Sequence, residues 1–266
     1  MTKVAVVGRG LIGGSIEKSA RRAGHEAVVF RGRGPTPDLS SFDIVFLAAP
    51  PAAICALADA IDAKGSLRDG AVVVDIAGVK RPIYDHMRRF VGTRRWFFVP
   101  GHPMAGREKP GYENSCENLF DGASMIITPF PETPESVLSG LEPFFRSLGF
   151  SMVVRTDPDH HDGMIAFTSQ LCHLISSAYV REPLVRDHVG YSAGSFRDMA
   201  RVGAPDPDTW TELFFANRES LLPVLGRYVE RMEDFRDALE QNDRVRMHRA
   251  LEESVEAKAT FGKGLK

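Results

Sequence analysis

A chain of 266 residues is long enough for one large domain or two modest ones, each with its own core. Hydrophobic residues make up 43% and charged residues 26%, ordinary for a soluble protein, and a net charge of −2 gives no reason to expect nucleic acid or a membrane surface as partner. Three scattered cysteines, Cys55, Cys116 and Cys172, show neither metal-ligand spacing nor a disulfide framework, so no metal site is expected.

The chain enters Val4-Ala5-Val6-Val7 directly, without a basic-then-apolar leader, and no apolar run approaches the roughly 20 residues that span a bilayer. The expected setting is the cytoplasm. Lys3–Gly8 reads as a strand and Leu11–Ala23 as a helix, with Gly8-Arg9-Gly10-Leu11-Ile12-Gly13 between them. A G-x-G-x-x-G run between a strand and a helix is a dinucleotide site. Gly8 makes the tight turn, Gly10 lets the backbone approach a pyrophosphate, and Gly13 allows close helix–strand packing. Leu11 and Ile12 open the helix whose free N–H groups face the phosphates.

Ala27–Phe30 is the second strand, followed by Arg31, Gly32 and Arg33. An NAD site usually carries an acid at the end of this strand, for the ribose 2′-hydroxyl. Here the next acid is Asp38, and Arg31 and Arg33 suit a 2′-phosphate, so NADP is expected, with NAD still open. Phe42-Asp43 arrives too soon for a helix before the third strand. Ile44–Ala48, Ala71–Ile76, Trp96–Val99, Met125–Thr128 and Met152–Arg155 are further strands. Helical stretches lie near Pro51–Ala63, Arg81–Phe90 and Pro134–Ser147. Continuous apolar strands alternating with helices predict a largely parallel, doubly wound sheet covered on both faces.

Gly101-His102-Pro103 follows the fifth strand, where a doubly wound sheet places ligands, and a histidine there suits general-base work near neutral pH. After Asp157 every segment reads as helical: His161–Val180, Ser195–Val202, Pro207–Arg218, Leu221–Gln241 and Asp243–Phe261. The expected fold class is thus α/β, a Rossmann-like domain over residues 1–156 with an all-helical domain over 157–266. Leu221, Leu222, Leu225, Tyr228, Val229 and Met232 could serve a dimer interface.

Several motifs together resemble the prephenate and arogenate dehydrogenases. They are Gly10-Leu11-Ile12-Gly13-Gly14-Ser15, Gly101-His102-Pro103-Met104-Ala105-Gly106, His161-Asp162, Ser169 to His173, and Ser192-Ala193-Gly194-Ser195-Phe196-Arg197-Asp198 continuing through Arg201 to Trp210. The resemblance implies oxidative decarboxylation of a prephenate-type cyclohexadienyl ring (prephenate or arogenate), with hydride passing to the nicotinamide and a base taking the 4-hydroxyl proton. It implies His102 as that base and Arg201 as the anchor of a substrate carboxylate. Glu108, Ser169, His173, Gly194 and Trp210 match substrate-pocket positions, and the family members pair through their helical half.

Three departures fall around this pocket. The family's Asp-x-Gly-Ser-Val-Lys is here Asp75-Ile76-Ala77-Gly78-Val79-Lys80, so Gly78 stands where a serine would meet both substrate and base. Gln170 replaces a histidine, and Arg107 replaces a small hydroxyl residue. Loss of the serine fits a ring with an amine at C4, so 4-amino-4-deoxyprephenate is an alternative substrate. The other readings are a hydroxyacid or imine reductase on a similar scaffold and a non-enzymatic NADP-binding sensor. Neither requires His102, His173 and Arg201 together. No separate regulatory domain is expected.

Overall fold

The computed structural model describes residues 1–32, 34–107 and 109–261. Seven strands form one sheet in the order β2-β1-β3-β4-β5-β6-β7: β1 (Lys3–Val7), β2 (Glu26–Phe30), β3 (Ile44–Leu47), β4 (Val72–Asp75), β5 (Phe97–Pro103), β6 (Ser124–Ile127) and β7 (Met152–Arg155). All pairs are parallel except β5 with β6. The helices of this part are α1 (Leu11–Arg22), α2 (Pro51–Lys64), α3 (Arg81–Met87) and α4 (Glu135–Ser147), and among the described residues no helix lies between β2 and β3.

Two apolar layers explain why the strands read as unbroken hydrophobic runs. On one side Val4, Val6, Phe46 and Val74 pack with Ile16 and Ala20 of α1 and Leu141, Phe144 and Phe145 of α4. On the other, Ala5, Val45, Leu47 and Val73 pack with Ile54, Ala58 and Ile61 of α2 and Ile83 and Met87 of α3. A strand whose two faces are both covered by helices has no polar side to alternate with.

The structure corrects one local expectation. His102 does not lie in a loop after β5 but inside it, because β5 runs on to Pro103 and pairs Gly101 with Ile127, His102 with Ile126 and Pro103 with Met125. The antiparallel ladder with β6 fixes the histidine's backbone. Gly101 is required there, since a Cβ would meet Met125 Cε at 2.5 Å and the Asp75 carbonyl at 2.9 Å.

Residues 1–218 form one compact unit, which also takes in α5 (Pro158–Ile165), α6 (Cys172–Tyr179), α7 (Gly194–Ala200) and α8 (Pro207–Ala216). A π-helical segment, Ala166–Leu171, joins α5 to α6 where one continuous helix was expected. The second unit begins at Glu219 and holds most of α9 (Arg218–Glu240) and α10 (Arg244–Phe261). Within it Arg246 pairs with Asp234 at 2.7 Å and Asp237 at 3.4 Å. Leu222, Val229, Met232, Leu251 and Val255 are exposed on these two helices, whereas Leu221 is buried.

Candidate active site

The glycine turn lies at the carboxyl end of β1. Gly8 has φ +128° and donates its N–H to Phe30 O at 3.0 Å, which ties the turn to the end of β2. A Cβ on Gly8 would strike the Ala48 carbonyl, and one on Gly13 would strike the Gly8 carbonyl, so neither position admits a side chain. Gly10 faces open space and α1 begins with no side-chain cap and no acid in its first turn. Its first N–H groups and the positive end of its dipole are thus presented to an anion, as a dinucleotide's phosphates require. A cleft of about 270 Å³ continues from Gly10, Leu11, Ile12 and Gly13 past Ala48 and Pro51 to Gly78 and Leu213.

Arg31 follows β2 directly and is exposed. Asp38, the first acid after it, accepts the Ser40 N–H at 3.0 Å within its own turn. Arg33 and Glu108 lie outside the described residues. Arg107 is exposed in the loop after β5.

Behind Gly78, at the other end of the cleft, stands His102, part of a chain of three side chains. Its Nδ1 is 2.9 Å from Nε2 of His161, and His161 Nδ1 is 2.7 Å from Asp162 Oδ1. Asp162 in turn accepts the backbone N–H groups of Lys80 and Arg81, both at 2.8 Å, at the start of α3. The tautomers follow from this network. Asp162 can only accept, so His161 donates from Nδ1 and accepts at Nε2. His102 then donates from Nδ1, which leaves its Nε2 without a proton. That Nε2 faces Gly78: a Cβ placed on the glycine would lie 3.8 Å from it and 3.6 Å from Leu213 Cδ2. Burial above all, then the neighbouring His161 and Lys80, pushes the His102 pKa well below its usual 6.5. The imidazole is therefore neutral, with a free lone pair, at neutral pH.

A buried ion pair holds the histidine's strand in place. Lys80 and Asp75 are both completely buried and bonded to each other, and Lys80 Nζ also donates to Gly101 O at 2.6 Å. Asp75 accepts N–H groups from Ala77 at 3.0 Å and Gly101 at 3.2 Å. Burial pushes the Asp75 carboxyl up and the Lys80 ammonium down, each opposed by its partner's charge. Gly101, the residue preceding His102, is thereby clamped through both its N–H and its carbonyl.

The helical residues form a second cluster. His173 stacks on Trp210 with ring centroids 3.6 Å apart and donates Nδ1–H to Ser169 O at 2.9 Å. Burial lowers its pKa, as does the positive charge of Arg201, which lies near enough to act on it. Trp210 and Leu213 share one side of α8, so that helix links the His173 cluster to the cleft beside Gly78. Gly194 opens α7, and Arg201 follows the end of that helix.

Gln170 differs from its expected place in the pocket. It is buried, its Nε2 donates to Leu213 O at 3.0 Å, and its Oε1 accepts from Asn217 Nδ2 at 2.7 Å. Both ends of the amide thus join the π-helical segment to α8, with Asn217 also donating to Asp162 O at 2.9 Å. His161 and Asp162 were legible only as a motif without a role. Asp75 and Lys80 were likewise legible only as the ends of the Asp75–Lys80 motif, without a role, and Asn217 carried no signal.

Comparison with known proteins supplies the family context. Residues 2–154 match the profile described as prephenate dehydrogenase, nucleotide-binding domain, and residues 157–253 match prephenate dehydrogenase, dimerization domain. The chain is 26% identical to a cyclohexadienyl dehydrogenase of Zymomonas mobilis, over 96% of this chain and 94% of the relative. Among solved structures it resembles a Synechocystis arogenate dehydrogenase at 26% identity and TM-score 0.79, covering 97% and 99% of the two chains. It resembles an A. aeolicus prephenate dehydrogenase in complex with hydroxyphenyl propionate and NAD+ at 26% identity and TM-score 0.80, covering 99% and 98%.

Proposed function

The chain belongs to the prephenate dehydrogenase family, and from that premise we propose that it oxidises and decarboxylates prephenate or arogenate with NADP as hydride acceptor. The observation that carries the reading is the free Nε2 of His102, set by the Asp162–His161–His102 chain at the end of the nucleotide cleft. A bound nicotinamide nucleotide supplies the hydride acceptor. The glycine turn and the first turn of α1 fit its diphosphate, and Arg31, after which the sequence has no acid until Asp38, favours a 2′-phosphate. No metal enters this reading.

The residues then divide the work. His102 Nε2 takes the 4-hydroxyl proton as hydride departs from C4; loss of the ring carboxylate as CO2 then leaves an aromatic phenolate, to which the proton held on His102 returns. Aromatisation drives the reaction downhill, so the protein has mainly to hold the ring against the acceptor and accept one proton. Arg201, with a planar fork that matches a carboxylate, anchors the substrate beside His173 and Trp210. Ser169, Gly194, Arg107 and Glu108 complete the proposed pocket. The proposed division gives residues 1–156 to the nucleotide and 157–266 to the substrate and the dimer.

A second reading, a ring carrying an amine at C4, draws on Gly78, which leaves the base without a neighbouring hydroxyl. One assay separates the two: reduction of NADP+ and NAD+ with prephenate, arogenate and 4-amino-4-deoxyprephenate, for the natural protein and Gly78→Ser. The added Cβ meets only ordinary contacts, so the variant should fold. The proposal expects the highest kcat/KM with a 4-hydroxyl substrate and NADP+. It expects Gly78→Ser to raise that value by about 2- to 10-fold, one hydrogen bond's worth. Turnover of the 4-amine alone would establish the second reading instead, and equal efficiency with both cofactors would remove the NADP preference.

The proposed assembly is a homodimer through the helical half. The apolar side chains exposed on α9 and α10 support it, as does the match of residues 157–253 to a dimerization domain. Light scattering at micromolar concentration should give twice the 29.3 kDa chain mass. A monomer at that concentration would contradict it. Among the described residues no helix is long and apolar enough to cross a membrane.

A further inference from the structure

Arg9, the residue between the first two glycines of the nucleotide turn, is exposed, and its guanidinium lies over the ring of Tyr112, 4.3 Å from the centroid. The ring is held there by three features of the chain. Gly14 lacks the Cβ that would come within 2.6 Å of Tyr112 Cδ2, so the short turn Tyr112–Asn114 packs directly onto α1. The Tyr112 hydroxyl donates to Glu17 Oε2 at 2.9 Å, and Lys18 Nζ, 4.9 Å from the same ring centroid, donates to Ser115 O at 2.8 Å.

Glu17 touches the same tyrosine, but its carboxylate is already shared between Tyr112 and Arg21, the latter at 2.8 Å. No carboxylate among the described residues pairs with Arg9. Arg9, from the turn before the uncapped start of α1, thus shares one aromatic ring with Lys18 from the middle of that helix, and its positive charge adds to that of the helix's first N–H groups, where an anion is favoured. A ring under a guanidinium leaves the planar fork's edge available for bidentate bonds to phosphate oxygens.

We propose that Arg9, pre-positioned on Tyr112, is a phosphate clamp for the dinucleotide, closing over the glycine turn opposite the backbone N–H groups of α1. The inference rests on the nucleotide site of the family reading but not on the choice of NADP. Gly32 packs at the Gly8 turn, where a Cβ would lie 3.4 Å from Gly8 Cα, so the diphosphate and a 2′-phosphate beside Arg31 are the two phosphate sources within the same region.

The test is direct binding of NADP+ and of NAD+ to the full-length protein by calorimetry, with circular dichroism as the check on folding. Variants are Arg9→Gln, Tyr112→Leu and Tyr112→Phe. Arg9→Gln should raise Kd about 10- to 100-fold, the loss of a charge-assisted pair. Tyr112→Leu should raise it about 3- to 10-fold by removing the ring that holds the guanidinium. Tyr112→Phe keeps the ring and should stay within about 2-fold. Equal weakening of both nucleotides by Arg9→Gln places the clamp on the diphosphate, and weakening of NADP+ alone places it on the 2′-phosphate. Folded Arg9→Gln protein with unchanged Kd for both nucleotides would overturn the proposal. Equal affinity of the natural protein for the two nucleotides would instead count against the NADP reading and leave the clamp standing.

Discussion

Replacing His102 by asparagine is expected to lower turnover by roughly 10²–10⁴-fold, the usual contribution of a positioned general base. In barrier height that is about 3–5 kcal/mol. Asparagine keeps a polar side chain that can still donate toward His161 Nε2, but it cannot accept a proton at neutral pH. Cofactor affinity should hardly change, since the glycine turn lies at the other end of the cleft from Gly78, which His102 faces. KM should change much less than kcat. Arg201→Ala sets the contrast: it removes a binding partner and not a proton acceptor, so it should raise KM strongly. Steady-state kinetics of both variants reads the difference, and a His102→Asn enzyme that loses only KM would show that the imidazole binds substrate without acting as base.

The second large effect is on stability. Lys80→Met should destabilise the protein by about 3–5 kcal/mol, because it leaves the Asp75 carboxylate buried without its partner. It also removes the donor to Gly101 O, so Gly101, the residue preceding His102, loses one of its two clamps. In urea unfolding the midpoint should fall sharply. Adding Asp75→Asn to the same chain should return part of the loss, since the orphaned charge goes while an amide can still accept the Ala77 N–H. A Lys80→Met protein as stable as the natural one would mean that water or another group satisfies Asp75, and the clamp on β5 would have to be abandoned.

Strand and helix identity was legible because each is a local pattern. Runs such as Val4–Val7 and Ile44–Leu47 are apolar without alternation, as expected of strands packed on both faces. The glycine turn was legible for the same reason, since strand, turn and helix are adjacent in sequence. What sequence did not show depends on groups that meet only after folding. His102 and His161 are 59 residues apart, and the role of the second histidine follows from a hydrogen bond, not from its type. Strand β5 was expected to end at Val99, yet the ladder with β6, which runs from Gly101 to Pro103, carries it on. The π-helical segment escaped because its residues have helical periodicity whichever bond pattern they choose; Asn217 and Gln170 tie it to α8 from outside. Gln170, standing where the family has a histidine, read as pocket lining, and only its buried partners show that it joins the π-helical segment to α8.

The account stands or falls on proton acceptance by His102. The direct measurement is the single-turnover rate of NADPH formation with a 4-hydroxyl substrate, followed across pH in the natural protein and in His102→Asn. Because burial above all, and then the Lys80 ammonium, depress the His102 pKa, the imidazole is neutral above that value and protonated below it. The rate of the natural protein should therefore be flat through neutral pH and fall only on an acidic limb that lies below 6.5, histidine's ordinary value. The variant should be slower at every pH and should lack that limb. An unchanged rate in His102→Asn, or the same acidic limb in both proteins, would contradict the assignment of His102 as the base.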